Sequence, residues 1–570
     1  MSRISFERPE SASSIFEKTA ALKKDVKLRP HQQQAINNTG DSAIIAHGVG
    51  SGKTLTGIAK FEDLKSKGKA KKALVIVPAG LRPNFKEEGV DRFTDSKSNI
   101  VGSSTERRQR TYGGIDPNAD YNIISYEMFR RNPEKYLRES GADTLIADEG
   151  HKTKNEGTQT LNAFKKLYGK YNNYIGLTGS VISNSMADLQ PLMDIATQGN
   201  NPLGKSKADF ENRFVARNDK GPYAGLSTKR QPVTGFKHRD ELKKALGKYV
   251  DYMDYDDTKE IAKIPNKHIE VQKVPLSKEQ ANLYKFLMND DPKIRKIIKQ
   301  KRLETLKDDE VSSAYNALNE ARRLMNNPAY LTPKMSVAEG AQKAPKTQKL
   351  MDDLQAHLAT TKDGQAVLLT NLIKGGADTL ESELKRRGID YGLFLGKQNP
   401  GSDEETRQQA VRDYKAGKKK VMVVSGAGAE GLSLGNTTWE GVLDPHYNPE
   451  RMKQMEARGV RAGGLSHRPP EARTVNINRY LATMPKTLGI FKSNLRTPDE
   501  FIYDVAKNKE QQNKMMFDLL KETRKEKLNP PGVGQKIKSK IKPPKAPKVK
   551  NISSQDYSDK KPTVIKYGDF

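Results

Sequence analysis

Short apolar runs alternate with longer amphipathic stretches along most of the chain. KKALVIVPAG, DYNIISYEMF, DTLIADEG and NNYIGLTGS each carry a β-branched run that stops at Gly, Pro, Ser or Asp. Stretches with helical spacing lie between them. The alternation predicts βαβ units, hence an α/β fold with a parallel sheet whose loops carry the chemistry. Residues 1–25 read as a mobile N-terminal arm. Residues 26–262 read as a first lobe, with an irregular insertion rich in Gly, Lys and Asp at about 200–260. Helical spacing dominates 263–345, in SKEQANLYKFLMN and AYNALNEARRLMNN, a linker and helical insertion. QAVLLTNL, DYGLFLG, KKVMVVSGAG, WEGVLDPHYNP and ARTVNINRYL then predict a second α/β lobe over 346–520. From 521 to 570, Pro, Gly and Lys displace apolar residues, which predicts a disordered basic tail.

Charge narrows the class of partner. The 570 residues carry a formal net charge of +30, with a pI of about 9.7. Lys521 to Lys550 holds 11 basic and 2 acidic residues, a net of +9, and the last twenty residues balance, which leaves +21 on the first 520. The folded part is basic in its own right, so a polyanion such as nucleic acid is the expected partner. The tail reads either as a solubilising segment or as a nonspecific polyanion tether. There are no cysteines, which excludes disulfides and thiolate metal sites and fits a reducing compartment. No apolar run approaches the ~20 residues of a membrane span. The start, MSRISFERPESASS, lacks the apolar core of a secretory signal. The expectation is a soluble, intracellular protein with no membrane partner.

Two stretches carry candidate chemistry. AHGVGSGKT, residues 46–54, follows the apolar run SAII. Gly48, Gly50 and Gly52 let backbone N–H groups turn toward a phosphate without a Cβ clash. With Ser51 they make a nucleotide-binding loop in which Lys53 reaches the β/γ-phosphates and Thr54 offers its hydroxyl to Mg²⁺. His47 stands where the strict phosphate-loop pattern has glycine. The bland alternative is a flexible Gly-Ser loop before a helix. The second stretch, TLIADEGHKTKN, ends its apolar run in Asp148 and Glu149. Alone, such a pair decorates a surface. Beside a phosphate loop, Asp148 can hold the metal and Glu149 can orient or deprotonate the attacking water.

Together these stretches resemble the superfamily-two helicase and translocase core, in its SWI/SNF-type branch of duplex-DNA translocases. The resemblance runs from about Leu28 to Leu520. LRPHQQQAI resembles the segment before the phosphate loop, which implies that Gln32 reads adenine. ALVIVPAGLRPNFKEE and NIISYEMFRR resemble the next two motifs. IGLTGSVISNSMADLQPLM resembles LTGTP-I-x-N, with Ser180 for Thr and Val181 for Pro. LNEARRLMNNPAYL resembles a helix end typical of the branch, with Asn327 where His is usual. SGAGAEGLSLG resembles the motif coupling DNA to ATP, with Ser433 where Asn is common. After DPHYNP, Gln454, Arg458 and Arg461 fit Q-x-x-x-R-x-x-R, a spacing that on a helix puts both arginines on one face. The family's glycine-glutamine after the last arginine is Gly463-Gly464 here. RTPDEFIYDVAKNKEQQNKMM resembles the closing helix that packs back on the core.

The resemblance implies two RecA-like lobes, ATP and Mg²⁺ as cofactors, and duplex DNA as partner. Lys53, Asp148, Glu149, Arg458 and Arg461 are then catalytic. His151 and Gln454 couple the two sites, and Ser125, Thr178 and Ser425 are backbone contacts to nucleic acid. The solvated-helix reading of the arginines remains beside this one. Three activities compete: a DNA-stimulated ATPase translocating on duplex, a strand-separating or RNA-acting helicase, and a structural nucleic-acid-binding protein with an idle nucleotide site.

Overall fold

In the computed structural model the apolar runs form two separate parallel sheets. The structure describes residues 22–528 apart from 49, 183–184, 219, 221–232, 291–317, 362, 397–403, 427–431, 462 and 486–494. The N-terminal arm before residue 22 and the tail from 529 lie outside the described residues, as does the middle of the helical insertion.

The first sheet contains β1 (Ala43–His47), β2 (Ala73–Val77), β3 (Ser98–Ile100), β4 (Tyr121–Ser125), β5 (Thr144–Asp148) and β6 (Asn173–Thr178). β7 (Val215–Arg217) and β8 (Val233–Phe236) form a separate antiparallel pair. β9 (Val250–Met253) completes the first sheet, in the order β3-β4-β2-β5-β6-β1-β9. The second sheet runs β10-β15-β14-β11-β13-β12. Its strands are β10 (Asn266–Pro275), β11 (Gln365–Thr370), β12 (Tyr391–Phe394), β13 (Val421–Ser425), β14 (Thr437–Val442) and β15 (Thr474–Thr483).

Parallel strands covered on both faces need apolar residues at every position, and alternate side chains feed opposite cores. Ile44, Leu74 and Ile76 join one cluster of the first lobe, while Ile45, Val75 and Val77 join the other. In the second lobe Val367, Leu369, Met422 and Val424 fill one side, and Ala366, Leu368, Val421 and Val423 the other.

Three boundaries differ from the sequence reading. Part of the stretch at about 200–260 is regular, since the helix Arg239–Tyr249 leads into β9, an edge strand only four residues long. β10, assigned to the linker, pairs with β15 over ten residues and belongs to the second sheet. The closing helix runs from Pro498 to Leu528, so residues 521–528 are helical and not tail. Their charges read as solvated in sequence but meet partners on the first lobe.

That closing helix spans both lobes. Its 31 residues give a length of roughly 46 Å. Phe501, Ile502 and Val505 pack with Tyr284, Leu324 and Ala482, on the second-lobe side. Met516, Leu519 and Leu520 pack into the first-lobe core. At its start Lys346 Nζ donates to Asp499 Oδ2 at 2.5 Å, and Asp499 also accepts the Ala482 N–H at 2.9 Å. Both partners of this pair are fully enclosed. Removing one leaves the other charge buried and uncompensated. Asp499→Ala should therefore cost about 3–5 kcal/mol of stability. Urea denaturation followed by tryptophan fluorescence checks this, because Trp439 reports on the second lobe.

Candidate active site

The loop 46–54 joins β1 to the helix Lys53–Ser66 and is held from three sides. Gly48 donates its N–H to Met253 O at 2.8 Å, so β9 fixes its start. His31 Nε2 lies 2.9 Å from Ser51 O, and Gln32 Nε2 donates to Gly52 O at 3.2 Å. Glycine is required at two positions. A Cβ on Gly48 would sit 3.1 Å from Asp254 O, and Gly52 has φ +80° with Gln32 Nε2 2.7 Å from where its Cβ would be. The helix has Gly52 as N-cap and no side-chain cap, so its first amide donors are available to an anion. Ser51 is buried, and among the described residues its hydroxyl has no partner. The Gln32 amide is committed to the loop and to the Arg29 N–H at 2.8 Å, which in this conformation keeps it from reading a base.

Asp148 ends β5, and Glu149 follows in the left-handed region at φ 54° and ψ 46°. A non-glycine residue there stores about 1–3 kcal/mol of strain, a feature that recurs at functional sites. The strain re-aims the second carboxylate. The Glu149 N–H turns back to Asp148 Oδ1 at 3.0 Å, and Glu149 Oε2 reaches His151 Nδ1 at 3.2 Å. The same His151 nitrogen lies 3.3 Å from Thr178 Oγ1, at the end of β6. Tyr126 donates to Asp148 O at 2.8 Å.

The two carboxyls titrate apart. Burial, then the neighbouring Glu149 charge, push Asp148 up. Burial also works to raise Glu149, but His151, Lys53 and Arg458 outweigh it and hold that carboxyl down. Lys53 is lowered by burial and feels Glu149, Asp148 and Arg461. Arg461 is lowered to about 10 by burial and by Arg458. The second-lobe arginines therefore lie within electrostatic reach of the first-lobe acids and lysine.

The arginines do not ride on a helix. The helix Pro449–Glu456 stops before them, with Gln454 half-buried in its last turn. The reason is competition for the backbone. Leu434 donates its N–H to Arg458 O at 2.9 Å, and the Gly459 N–H goes to Glu440 Oε1 at 3.1 Å. Arg461 Nη2 donates to Leu432 O at 2.6 Å. A turn carries both side chains in place of one helical face. Gly463 and Gly464 follow, tied to Lys263 O at 3.2 Å and Arg461 O at 2.8 Å.

The three predicted nucleic-acid contacts point inward. Ser125 is buried and caps a helical turn through Met128 N. Thr178 is buried against His151 and the Ser180 N–H. Ser425 is buried and accepts the Gly396 N–H at 3.2 Å. Each ends a strand; Ser125 and Thr178 accept an N–H from the turn that follows, and Ser425 accepts one from the segment after β12. Asn327 likewise spends its side chain on Ala329 N, Val337 O and Thr379 Oγ1.

Several contributors went unread in sequence: His31, Asp251, Glu440 and Arg524. His47 Nε2 lies 2.6 Å from Asp251 Oδ2, 204 residues away, and Arg524 Nε donates to Asp251 Oδ1 at 3.2 Å. Glu440 is fully enclosed in β14, and burial raises its carboxyl far above the ordinary range. Of these four only Glu440 left a sequence signal, a glutamate beside apolar residues in TTWEGVL.

Thr54 and Asp148 fit Mg²⁺ as one hydroxyl and one carboxylate, with phosphate and water completing the shell. Among the described residues no group of three or more His, Asp and Glu side chains is arranged to hold a metal. Nor is any helix of the described residues long and apolar enough to cross a membrane.

Comparison with known proteins places these features in a family. The SNF2-related domain matches residues 31–330, and the helicase conserved C-terminal domain matches 346–463. The chain is 24% identical over 463 residues to the provisionally named ATP-dependent RNA helicase L538 of Acanthamoeba polyphaga mimivirus, covering 80% of this chain and 89% of that one. It is 24% identical over 517 residues to the DNA repair and recombination protein RAD54 of Oryza sativa subsp. japonica, covering 80% of this chain but 49% of that one. Among solved structures, the Sulfolobus solfataricus SWI2/SNF2 ATPase core in complex with dsDNA matches with a TM-score of 0.36 at 20% identity, covering 80% and 88%.

Glu440 gives the arginine turn a test. Glu440→Ala leaves the buried Gly459 N–H without an acceptor, at about 1–3 kcal/mol. Turnover should fall in that variant, while Glu440→Gln, which keeps an acceptor oxygen, stays near the parent. Turnover assays on both, beside their melting curves, separate the local effect from unfolding.

Proposed function

Because the chain belongs to the SNF2-related family of ATP-dependent, helicase-type enzymes, we propose that it hydrolyses ATP to move along duplex DNA without separating the strands. One observation supports the hydrolytic step of this reading: the acids of the first lobe and the arginines of the second share one electrostatic environment. Glu149 feels Arg458, and Lys53 feels Arg461.

The phosphates of ATP lie on the glycine loop, where the amides that begin the helix Lys53–Ser66 and the Lys53 ammonium meet their charge. Thr54 and Asp148 would hold Mg²⁺, which when bound would neutralise charge on the phosphate oxygens. Glu149, kept ionised by its cationic neighbours, orients the attacking water and accepts its proton. Arg458 and Arg461 come from the other lobe and meet the charge that spreads over the transferred phosphoryl group. Such arginines contribute on the order of a thousandfold or more in turnover. Because they stand on a different sheet from Lys53, the full set assembles only when the lobes are correctly placed. ATP binding favours that placement and hydrolysis removes the reason for it. His151 bridges Glu149 and Thr178, so the end of β6 senses the state of the acid pair. With the net positive charge, contacts to phosphates in place of bases make the movement independent of sequence.

Glu149→Gln keeps the side-chain shape and loses the base. It should reduce ATP turnover by about a hundredfold or more while ATP and duplex still bind. The same variant should fail to displace a third strand from a triplex, which the parent does in an ATP-dependent way. Parent-like turnover in Glu149→Gln removes this residue from the mechanism. Strand separation by the parent, or activity confined to RNA, replaces translocation with the helicase alternative.

A further inference from the structure

The end of the closing helix is tied to the first lobe by several charged side chains. Glu522 pairs with Arg239 and Lys243, Glu526 with Lys243, and Lys521 with Asp254. These pairs are at least partly open to solvent, and such pairs contribute little. Arg524 differs. Its partner Asp251 is 1% exposed and is bonded in turn to His47, which is 0% exposed. His47 is the last residue of β1, and the glycine loop begins with the next residue.

We propose that Arg524 is a positioning residue for the nucleotide loop: it holds Asp251 and, through it, the His47 ring, so that the shape of the loop depends on a helix rooted in the second lobe. The inference rests on reading 48–54 as the loop that holds the ATP phosphates. Burial lowers the His47 imidazole while Asp251 works to raise it, and His47 and then Arg524 hold the buried Asp251 carboxyl down. Without Arg524 the buried carboxylate loses one of the two side chains bonded to it. It then turns toward water or takes a proton, and the His47 ring loses its fixed orientation. The shift has nowhere to dissipate. His47 packs 5.8 Å, ring centre to ring centre, from His31, which grips Ser51 O, and Gly48 is pinned between Met253 O and Asp254. Any displacement of the closing helix therefore reaches the phosphate loop from behind, by a route separate from the arginines that reach it across the cleft. Arg524 also donates to Gln34 Oε1 at 3.3 Å, on the helix that carries His31 and Gln32, so both supports of the loop meet at one guanidinium.

The test uses the full-length chain with saturating nucleic acid. Arg524→Ala should raise KM for ATP by about tenfold or more, with a smaller effect on kcat. Arg524→Lys, which keeps the charge, should recover part of the loss. Glu522→Ala removes two exposed ion pairs from the same helix and should leave KM unchanged. An unchanged KM in Arg524→Ala overturns the proposal. So does an equal rise in Glu522→Ala, because helix docking and not the Arg524 bond would then carry the effect. If Arg524→Ala does not fold, Asp251→Asn serves in its place and should show the same rise in KM, with an unchanged KM overturning the proposal. Lys53→Ala, run in parallel, separates the two readings, since unaltered ATP binding there removes the loop itself from the nucleotide site.

Discussion

Adjacent carboxylates in a half-buried cleft repel one another, and the pair is tolerable only with positive charge close by. Asp148 and Glu149 face Lys53 and His151 on their own lobe, and Glu149 also feels Arg458 and Arg461 of the other. This division is the constraint on which the rest of the structure depends. Part of the charge that Glu149 feels comes from the other lobe, so the relative placement of the lobes bears on the electrostatics of the site. Opposite charges in a poorly solvated cleft attract more strongly than in water, which favours closure. The crowding of Arg458 and Arg461 opposes it until an anion lies between them.

Each half of the site is stiffened by groups that do no chemistry. On the first lobe, β9 and the helix Pro30–Asn38 clasp the glycine loop through Met253, His31 and Gln32. The left-handed backbone at Glu149 turns the second carboxylate away from the first. On the second lobe, Leu434 and Glu440 divert the backbone of 458–461 from helix into a turn, and Leu432 holds the Arg461 side chain. The closing helix then joins the halves, with an apolar anchor at each end. Preorganisation of this kind lets fixed dipoles and charges act on a reacting phosphate without reorganising.

Much of this was legible in the sequence, because strands buried on both faces leave unbroken apolar runs and phosphate loops leave glycines. Both sheets and the glycine loop follow from those signals, and the acid pair lies at the end of a strand as its run predicts. What escaped has a common cause. Asp251 lies in a four-residue strand too short to show a period, and its partner is 204 residues distant. Residues 521–528 are as charged as a tail, and only the ion pairs to the first lobe distinguish them. The arginine spacing matches a helix, but tertiary hydrogen bonds took the backbone groups that a helix would need. Ser125, Thr178 and Ser425 sit at the ends of their strands, yet a hydroxyl at a strand end serves the local turn as readily as a ligand.

An ATPase whose site is divided between two lobes wastes ATP unless a partner sets the position of the lobes. The most direct measurement is steady-state ATP turnover at fixed salt with no nucleic acid, single-stranded DNA, duplex DNA and RNA. Turnover that is low alone and rises chiefly with duplex is the expected result, since a duplex gripped by both lobes brings the arginines to the acid pair. Turnover that is equal in all four conditions, or that rises with RNA or single strands and not with duplex, contradicts it.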